Sequence, residues 1–252
     1  MPRQSTSENL TKPIEATASC IRSSSRRRLL LAMLSVIAGS ADVTSFLGLG
    51  LFCAHVTGNL VILAAHIMAQ KTDNACLIDS VFVFMLALAL TRLLVAGLEA
   101  LDISSLQPLL LVQFILLSAS FFLGIASGHL LDPEARSTVA AGELSVAAMA
   151  VQNALVYHSS LAAPSTTVMS PNLTRFIMDA GESIMGHKPA DADEARRRAK
   201  ETLPVIIGFT MGAVLGAWCF AAAGRKSLAL PAGLALLALI MSLAPMSIGR
   251  KQ

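Results

Sequence analysis

The stretch ADVTSFLGLGLFCAHVTGNLVIL, residues 41–63, puts polar groups where a plain membrane-crossing helix has none. It carries an acid, Asp42, and the run Thr57-Gly58-Asn59 inside apolar sequence. Ser and Thr are favoured helix N-caps, because their side-chain oxygen accepts a hydrogen bond from a free backbone N–H. Thr57 therefore predicts the start of a new helix, and Gly58 permits a sharp entry of the chain. The apolar run is interrupted at 57.

A second interruption of the same kind lies at Ser170-Pro171-Asn172. Pro is favoured at the first helical position, where its missing N–H costs nothing, so Ser170 is predicted to cap a helix starting at Pro171. At membrane depth, two such starts would aim free N–H groups and partial positive charge at the protein interior, where transporters hold anionic groups. The alternative is two ordinary helix starts near the interface, with Asn59 and Asn172 tying down a neighbouring loop.

The composition indicates a membrane protein. Hydrophobic residues make up 54% of the 252-residue chain and charged residues only 14%, against about 25% charged in soluble domains. So much apolar surface cannot be hidden in one soluble core. The net charge of +3 comes mostly from Arg clusters beside apolar runs, which suits membrane orientation and does not predict nucleic-acid binding.

The apolar runs predict the number of membrane segments, since a crossing helix needs roughly 20 apolar residues. Segments 56–70 and 167–186, which follow the two interruptions, are shorter or more polar. The sequence predicts an all-α fold, a polytopic transmembrane helix bundle of six to eight membrane segments with interrupted helices at 57 and 170. The longer candidate spans are 29–51, 79–101, 108–130, 141–160, 203–223 and 228–248.

The order of segments repeats. LSVIAGSAD (34–42) precedes VTGNL, LSVAAMAVQN (144–153) precedes MSPNL, and two apolar helices follow each. Asp42 and Asn153 occupy corresponding places. We predict two four-segment repeats, an arrangement that recurs in transporters. The predicted organisation is a disordered cytoplasmic tail 1–28, a first repeat 29–130, a connecting loop 131–140, a second repeat 141–248 with a charged cytoplasmic loop 187–202, and a tail 249–252.

Two topologies remain open. If segments 56–70 and 167–186 cross the membrane, there are eight spans and the repeats are parallel. If they dip in and return, there are six spans and the repeats are inverted. Both schemes put the amino terminus, the charged loop and Arg250–Lys251 on the cytoplasmic side of the inner membrane. The positive-inside rule applied to Lys71 and Arg136 favours eight, whereas the short and polar segments favour six.

Ionisable residues inside membrane segments face a cavity or a partner, because a charge at the bilayer centre costs several kcal/mol. Arg175, Asp179 and Glu182 share one helix face by their i, i+4, i+7 spacing, which allows an Arg175–Asp179 ion pair. Arg92 is expected to snorkel or to pair with Asp42, and Asp42 is expected to have a functional role.

The candidate solute-binding residues combine these groups with an amide pair at 152–153 that can bond between helices. HExxH, Walker, GxGxxG, GxSxG and Cys–His patterns are absent from the sequence, so neither an enzyme, nor a metal, nor a cofactor is predicted. The four cysteines have no disulfide or metal-ligand spacing. The candidates are Asp42, Thr57, Gly58, Asn59, Gln152, Asn153, Ser170, Asn172, Arg175 and Asp179.

The chain resembles the YoaK family, also called DUF1275, of bacterial multi-pass membrane proteins of uncharacterised function. The resemblance covers about residues 29–248 and rests on Asp42, SFLGLG (45–50), TGN (57–59), QNA (152–154) and TTVMSPNLT (166–174). Ser-Pro-Asn stands at 170–172 where the family pattern looks like Thr-Gly-Asn, so the cap and the Asn survive but the Gly does not. The resemblance implies a membrane protein and adds no substrate.

The leading hypothesis is a small-solute transporter or permease-like carrier that works by alternating access. Its partners would be the lipid bilayer and a small polar or anionic solute, and Asp42 would couple protons. The alternative is a non-transporting membrane scaffold or sensor, in which the same residues only pack the repeats together. The sequence predicts no oligomeric state.

Overall fold

The computed structural model describes residues 8–70, 75–126, 136–158, 164–185 and 189–243, of which residues 8–24 and 75 are described by their backbone alone. These residues form helices and no strand, so the predicted all-α class is confirmed. A short 3-10 segment, Gly224–Leu228, joins the last two helices. The α-helices are α1 Glu8–Leu49, α2 Val56–Met68, α3 Ala75–Ala100, α4 Leu106–Ala126, α5 Arg136–His158, α6 Met169–Met185, α7 Pro189–Ala223 and α8 Ala229–Leu243.

Several of these helices are long and apolar enough to cross a membrane, and the predicted polytopic helix bundle is confirmed. They lie within α1, α3, α4 and α5, and in one continuous stretch, Pro189–Leu243, that contains α7 and α8. By contrast α2 has 13 residues and is about 20 Å long, shorter than the hydrocarbon core of roughly 30 Å. Both interrupted helices begin one residue before the predicted cap, at Val56 and Met169.

Two polar segments that the sequence predicts as a tail and a loop are largely helical. The helix α1 begins at Glu8, so the predicted tail 1–28 is wrong from residue 8 onward, because extending a formed helix adds one hydrogen bond for each residue ordered. The predicted loop 187–202 is helical from Pro189, with Pro at a helix start, Asp191 in the first turn and an Arg197–Glu194 contact of 2.7 Å, all of which favour a helix.

The connecting loop 131–140 is also shorter than predicted, because α5 begins at Arg136. The remaining parts of the predicted tails and loops, residues 1–7, 131–135, 186–188 and 249–252, lie outside the described residues.

Helices α1 and α7 pack closely and run in the same direction. A Cβ added to Gly212 would lie 2.2 Å from the carbonyl oxygen of Val36, so the two backbones are in direct contact through the small residues of GFTMGAVLG. Contacts at both ends of this interface advance together along the two helices, as parallel packing requires. They pair Gly208 with Ala32, Gly212 with Val36 and Gly216 with Ser40.

Helix α5 packs antiparallel to α1 and α4. Gln152 donates to the Leu34 carbonyl at 2.9 Å, whereas Leu51 packs on Gly142 ten residues earlier in α5. Gln113 of α4 donates to Gln152 of α5 at 2.6 Å. Ser120 follows Gln113 along α4, and it lies 2.7 Å from Ser145, which precedes Gln152 along α5. As the residue numbers of the contacts rise along α1 or α4, they fall along α5, so α5 is antiparallel to both helices.

The remaining long helices continue this alternation. Helix α3 is parallel to α5, since Cys76 lies beside Gly142 while Arg92 and Tyr157 line one cavity. Helix α8 is antiparallel to α4, with Gln107 donating to the Ser242 carbonyl at 3.2 Å and Leu228 packing on Gly124. Taken in chain order, α1, α3, α4, α5, α7 and α8 alternate in direction.

The two short helices each form a hairpin with the helix that follows. Asn59 of α2 meets Ser80 of α3, and Asp179 of α6 meets Arg198 of α7. Before α2, the chain doubles back along α1. The N–H of Ala54 reaches Asp42, seven residues before the end of α1 and about 10 Å inside it.

Candidate functional site

A cavity of about 750 Å³ lies where the two interrupted helices begin. His55, Val56 and Thr57 border it from the start of α2, and Val168 borders it from the residue before α6. Thr57 and Asn153 are the two predicted site residues among its lining. The rest of the wall comes from α3, α5 and the linker before α2, through Ala54, Phe84, Met85, Leu88, Ala89, Arg92, Ala154, Tyr157 and His158.

The start of α2 is held by Asp42, which is only 4% exposed. Its Oδ1 accepts hydrogen bonds from the backbone N–H groups of Ala54 at 2.8 Å and His55 at 3.3 Å. Its Oδ2 lies 2.6 Å from Nδ1 of His55. The predicted cap at Thr57 is wrong, because the residue before the helix is His55 and no side chain of the linker caps it. Instead, a carboxylate from α1 accepts from two N–H groups of the linker immediately before the helix.

Asn59 closes the linker that precedes α2. It is fully buried, accepts from the Phe52 N–H at 2.8 Å, and donates to the Phe52 carbonyl at 2.8 Å and to Ser80 at 2.9 Å. Gly58 leaves room for the same linker, since a Cβ there would lie 3.1 Å from the Phe52 ring. Both residues shape the turn and lie behind the cavity wall.

The start of α6 uses neutral groups. Asn153 accepts from the Thr167 hydroxyl at 2.5 Å, and the Ser165 hydroxyl accepts from the Val168 N–H at 3.0 Å. Asn172 donates to the Ser165 carbonyl, seven residues back, as Asn59 does to Phe52. The predicted cap at Ser170 is wrong, because α6 begins at Met169 and Ser170 is an exposed residue inside it. The N–H groups that donate to Ser165 belong to the two residues just before the helix.

Gln152 joins three helices behind the cavity. It is fully buried, donates to the Leu34 carbonyl and to the Thr166 hydroxyl, both at 2.9 Å, and accepts from Gln113 at 2.6 Å. The predicted hydrogen bonding between helices is therefore confirmed for this amide. It fixes the linker before α6 against α1, α4 and α5.

Two predicted ion pairs are wrong. Asp179 pairs with Arg198 at 2.9 Å, and Arg175 is exposed. The hairpin brings Arg198 from α7, a partner that spacing along α6 alone does not reveal. Asp42 pairs with His55, whereas Arg92 borders the cavity with a half-exposed side chain, 3.9 Å from Glu99.

Comparison with known proteins gives a family. The family model described as "Protein of unknown function (DUF1275)" matches residues 30–241. The chain belongs to the DUF1275 family. No curated protein and no solved structure matches it. Membership by itself assigns no activity to this DUF1275 protein.

Sequence reasoning missed most of the cavity wall of this DUF1275 protein. The only sequence signal for His55 is its position two residues before Thr57. Its pairing with Asp42 cannot be predicted from spacing, because it depends on the linker turning back. Phe84, Met85 and Leu88 read as ordinary apolar residues of a membrane helix. Apolar cavity walls and lipid-facing surfaces have the same composition, so hydropathy cannot separate them.

The polar groups of the described residues do not assemble a metal centre. Within the part of the chain that the structure describes, three or more His, Cys, Asp or Glu side chains nowhere come together to hold an ion. Cys53, Cys76 and Cys219 are free thiols. The chemistry of the cavity is that of a few polar groups in an apolar wall.

Proposed function

We propose that this protein is a small-solute carrier of the inner membrane, and not an enzyme, with its solute in the cavity between the two interrupted helices. The observation that carries the proposal is that helix starts from both halves border one cavity. Cavities of this size, mainly apolar with a few polar groups, are typical of small-molecule sites. Solute sites at paired helix interruptions are a recurring feature of transporters.

The proposed architecture is a pair of inverted repeats, α1–α4 and α5–α8, with six crossings. In support, α1 packs on α7 as α5 packs on α3, and α4 packs on α5 as α8 packs on α1. Corresponding helices of the two halves run in opposite directions. In this scheme α2 and α6 enter the membrane and return to the side they came from, and the amino terminus lies in the cytoplasm with the charged start of α7.

The proposed mechanism is alternating access. In an inverted repeat, each half can adopt the conformation of the other, which yields one state open to each side. The moving parts would be the hairpins α2–α3 and α6–α7, whose starts border the cavity. The solute would have an apolar body, because Phe84, Met85 and Leu88 make up much of the wall.

The experiment that tests this proposal labels single cysteines in a variant whose four native cysteines are replaced by Ser. Thr57→Cys and Asn153→Cys, both in the cavity wall, should react with a membrane-impermeant thiol reagent. Leu86→Cys is the matched control, since Leu86 is 60% exposed on the outer face of α3 and would be surrounded by lipid. If neither cavity position reacts from either side of the membrane, the carrier proposal fails.

The second candidate is a non-transporting scaffold or sensor. It is favoured by Asn59 and Asn172, two expected solute ligands whose amides bond within their own linkers. For a scaffold, the cavity positions would be closed to the reagent and substitutions there would only lower stability. Reactive cavity cysteines with normal stability favour the carrier.

A further inference from the structure

His55 is held so that one ring nitrogen contacts the protein and the other is available to the cavity. Nδ1 lies 2.6 Å from the Asp42 carboxylate, which can only accept, so Nδ1 carries a proton. The ring packs edge-on against Phe209 with centroids 5.5 Å apart. Because His55 borders the cavity, Nε2 is the nitrogen available to exchange a proton with its contents.

The charged and titratable groups around His55 come from several elements. The linker itself contributes the buried thiol of Cys53, and α1 contributes Asp42. Across the cavity stand Arg92 of α3 with Tyr157 and His158 of α5, while α7 offers the uncharged Phe209. Glu99 lies 3.9 Å from Arg92, outside the cavity lining.

Protonation of His55 changes the net charge of the cavity. With a neutral ring, Asp42 and Arg92 cancel. With a protonated ring, the Asp42–His55 pair is neutral and the positive charge of Arg92 is uncompensated within the wall. Charges interact strongly in such an apolar site, and His is the side chain that ordinarily changes charge near neutral pH. Protonation of His55 therefore makes the cavity better suited to an anion.

The N–H groups of Ala54 and His55, just before α2, already donate to Asp42 and are not available to an anion. We propose that the carrier binds an organic anion with an apolar body together with one proton, which His55 takes up. The anionic group lies between Nε2 of His55 and Arg92, and the body lies along Phe84, Met85 and Leu88. This inference rests on the proposed carrier function and names its solute class and coupling ion.

The proton balance of the cycle is simple. Nε2 takes a proton from water on one side, the anion binds, and the pair is carried as a neutral unit. On the other side the anion leaves and Nε2 returns the proton to water. Because coupling between two ligands is reciprocal, proton and anion each strengthen the binding of the other. No bond other than N–H forms or breaks.

The test uses naphthalene-2-sulfonate, which has an apolar body and stays anionic, so that any pH dependence belongs to the protein. Binding to the purified full chain in uncharged detergent is measured by calorimetry. Affinity should be about tenfold higher at about pH 5.5 than at about pH 8, within the usual range of coupling. His55→Gln should abolish this difference. Arg92→Gln should weaken binding at both pH values, and the exposed control Arg197→Gln should match the wild type.

Other outcomes overturn the inference in different ways. Equal affinity at both pH values, or a pH dependence that survives in His55→Gln, refutes proton coupling through this residue. Binding of the uncharged naphthalene-2-sulfonamide without binding of the sulfonate refutes the anion but leaves the carrier site intact. If neither probe binds and Thr57→Cys is also unreactive, the carrier proposal itself fails. Melting curves of each variant establish that a loss of binding is not a loss of folding.

Discussion

The starts of α2 and α6 solve the same structural problem with different chemistry. Each begins after a linker that turns back into the bundle, and each linker is closed by an Asn bonded to the residue seven positions earlier. The first start is held by a carboxylate and a His, Asp42 and His55, whereas the second is held by the neutral Asn153 and Ser165. The geometry is shared, but among the described residues that hold these two starts, titratable groups are found at the first.

The largest difference in stability should appear between variants that remove the side chains holding the two helix starts. Asp42→Ala leaves two backbone N–H groups and His55 without their acceptor and should cost about 3–5 kcal/mol, as broken buried pairs do. Asn153→Ala removes one hydroxyl partner and should cost about 1–2 kcal/mol. Reversible unfolding in mixed micelles measures both. Equal losses would mean that the charge at the first start has no structural role.

Helices α7 and α3, which correspond to each other in the proposed repeat, differ in how closely they are packed. Gly212→Ala on α7 would bring a methyl group within 2.2 Å of the Val36 carbonyl oxygen, whereas a Cβ at Gly97 of α3 meets nothing within 4 Å. We expect a loss of about 1–3 kcal/mol for Gly212→Ala and a gain of up to about 1 kcal/mol for Gly97→Ala. Thermal melts of the two variants, read side by side, decide it. A silent Gly212→Ala would contradict the close α1–α7 contact.

The smallest difference in stability should appear between variants of the two linker asparagines. Asn59→Ala removes three hydrogen bonds, two with the Phe52 backbone and one with the Ser80 hydroxyl, and should cost about 2 kcal/mol. Asn172→Ala chiefly frees the Ser165 carbonyl and should cost about 1 kcal/mol. Both values come from the same unfolding assay. A larger loss for Asn172→Ala would reverse the order that the hydrogen bonds imply.

Helix positions could be predicted from the sequence because apolar length and interruptions are local signals. The sequence predicts the α2 and α6 segments at 56–70 and 167–186, and the structure has them at Val56–Met68 and Met169–Met185. Polar helix ends were missed, since charged sequence reads as loop even when i, i+4 pairs make it helical, as at the start of α7. What hydropathy lacks is any measure of helix direction.

The candidate site was harder to predict, because its contacts depend on chain reversal. The sequence places Thr57 and Asn153 among the candidate solute-binding residues, and both border the cavity. Asn59 and Asn172 turned inward to their own linkers, as the alternative interpretation held. The Asp42–His55 pair and the Asp179–Arg198 pair each join separate elements, so no spacing rule along one helix could reveal them.

The most direct test of the account is the location of two connections relative to the membrane. Reporter domains inserted after residue 72 and after residue 133 report which side each connection faces. Six crossings with inverted repeats predict that both insertions lie outside the cytoplasm, while a fusion at the carboxyl terminus lies inside. Cytoplasmic location of both insertions would mean eight crossings and parallel repeats, and it would contradict the paired returning helices on which the cavity depends.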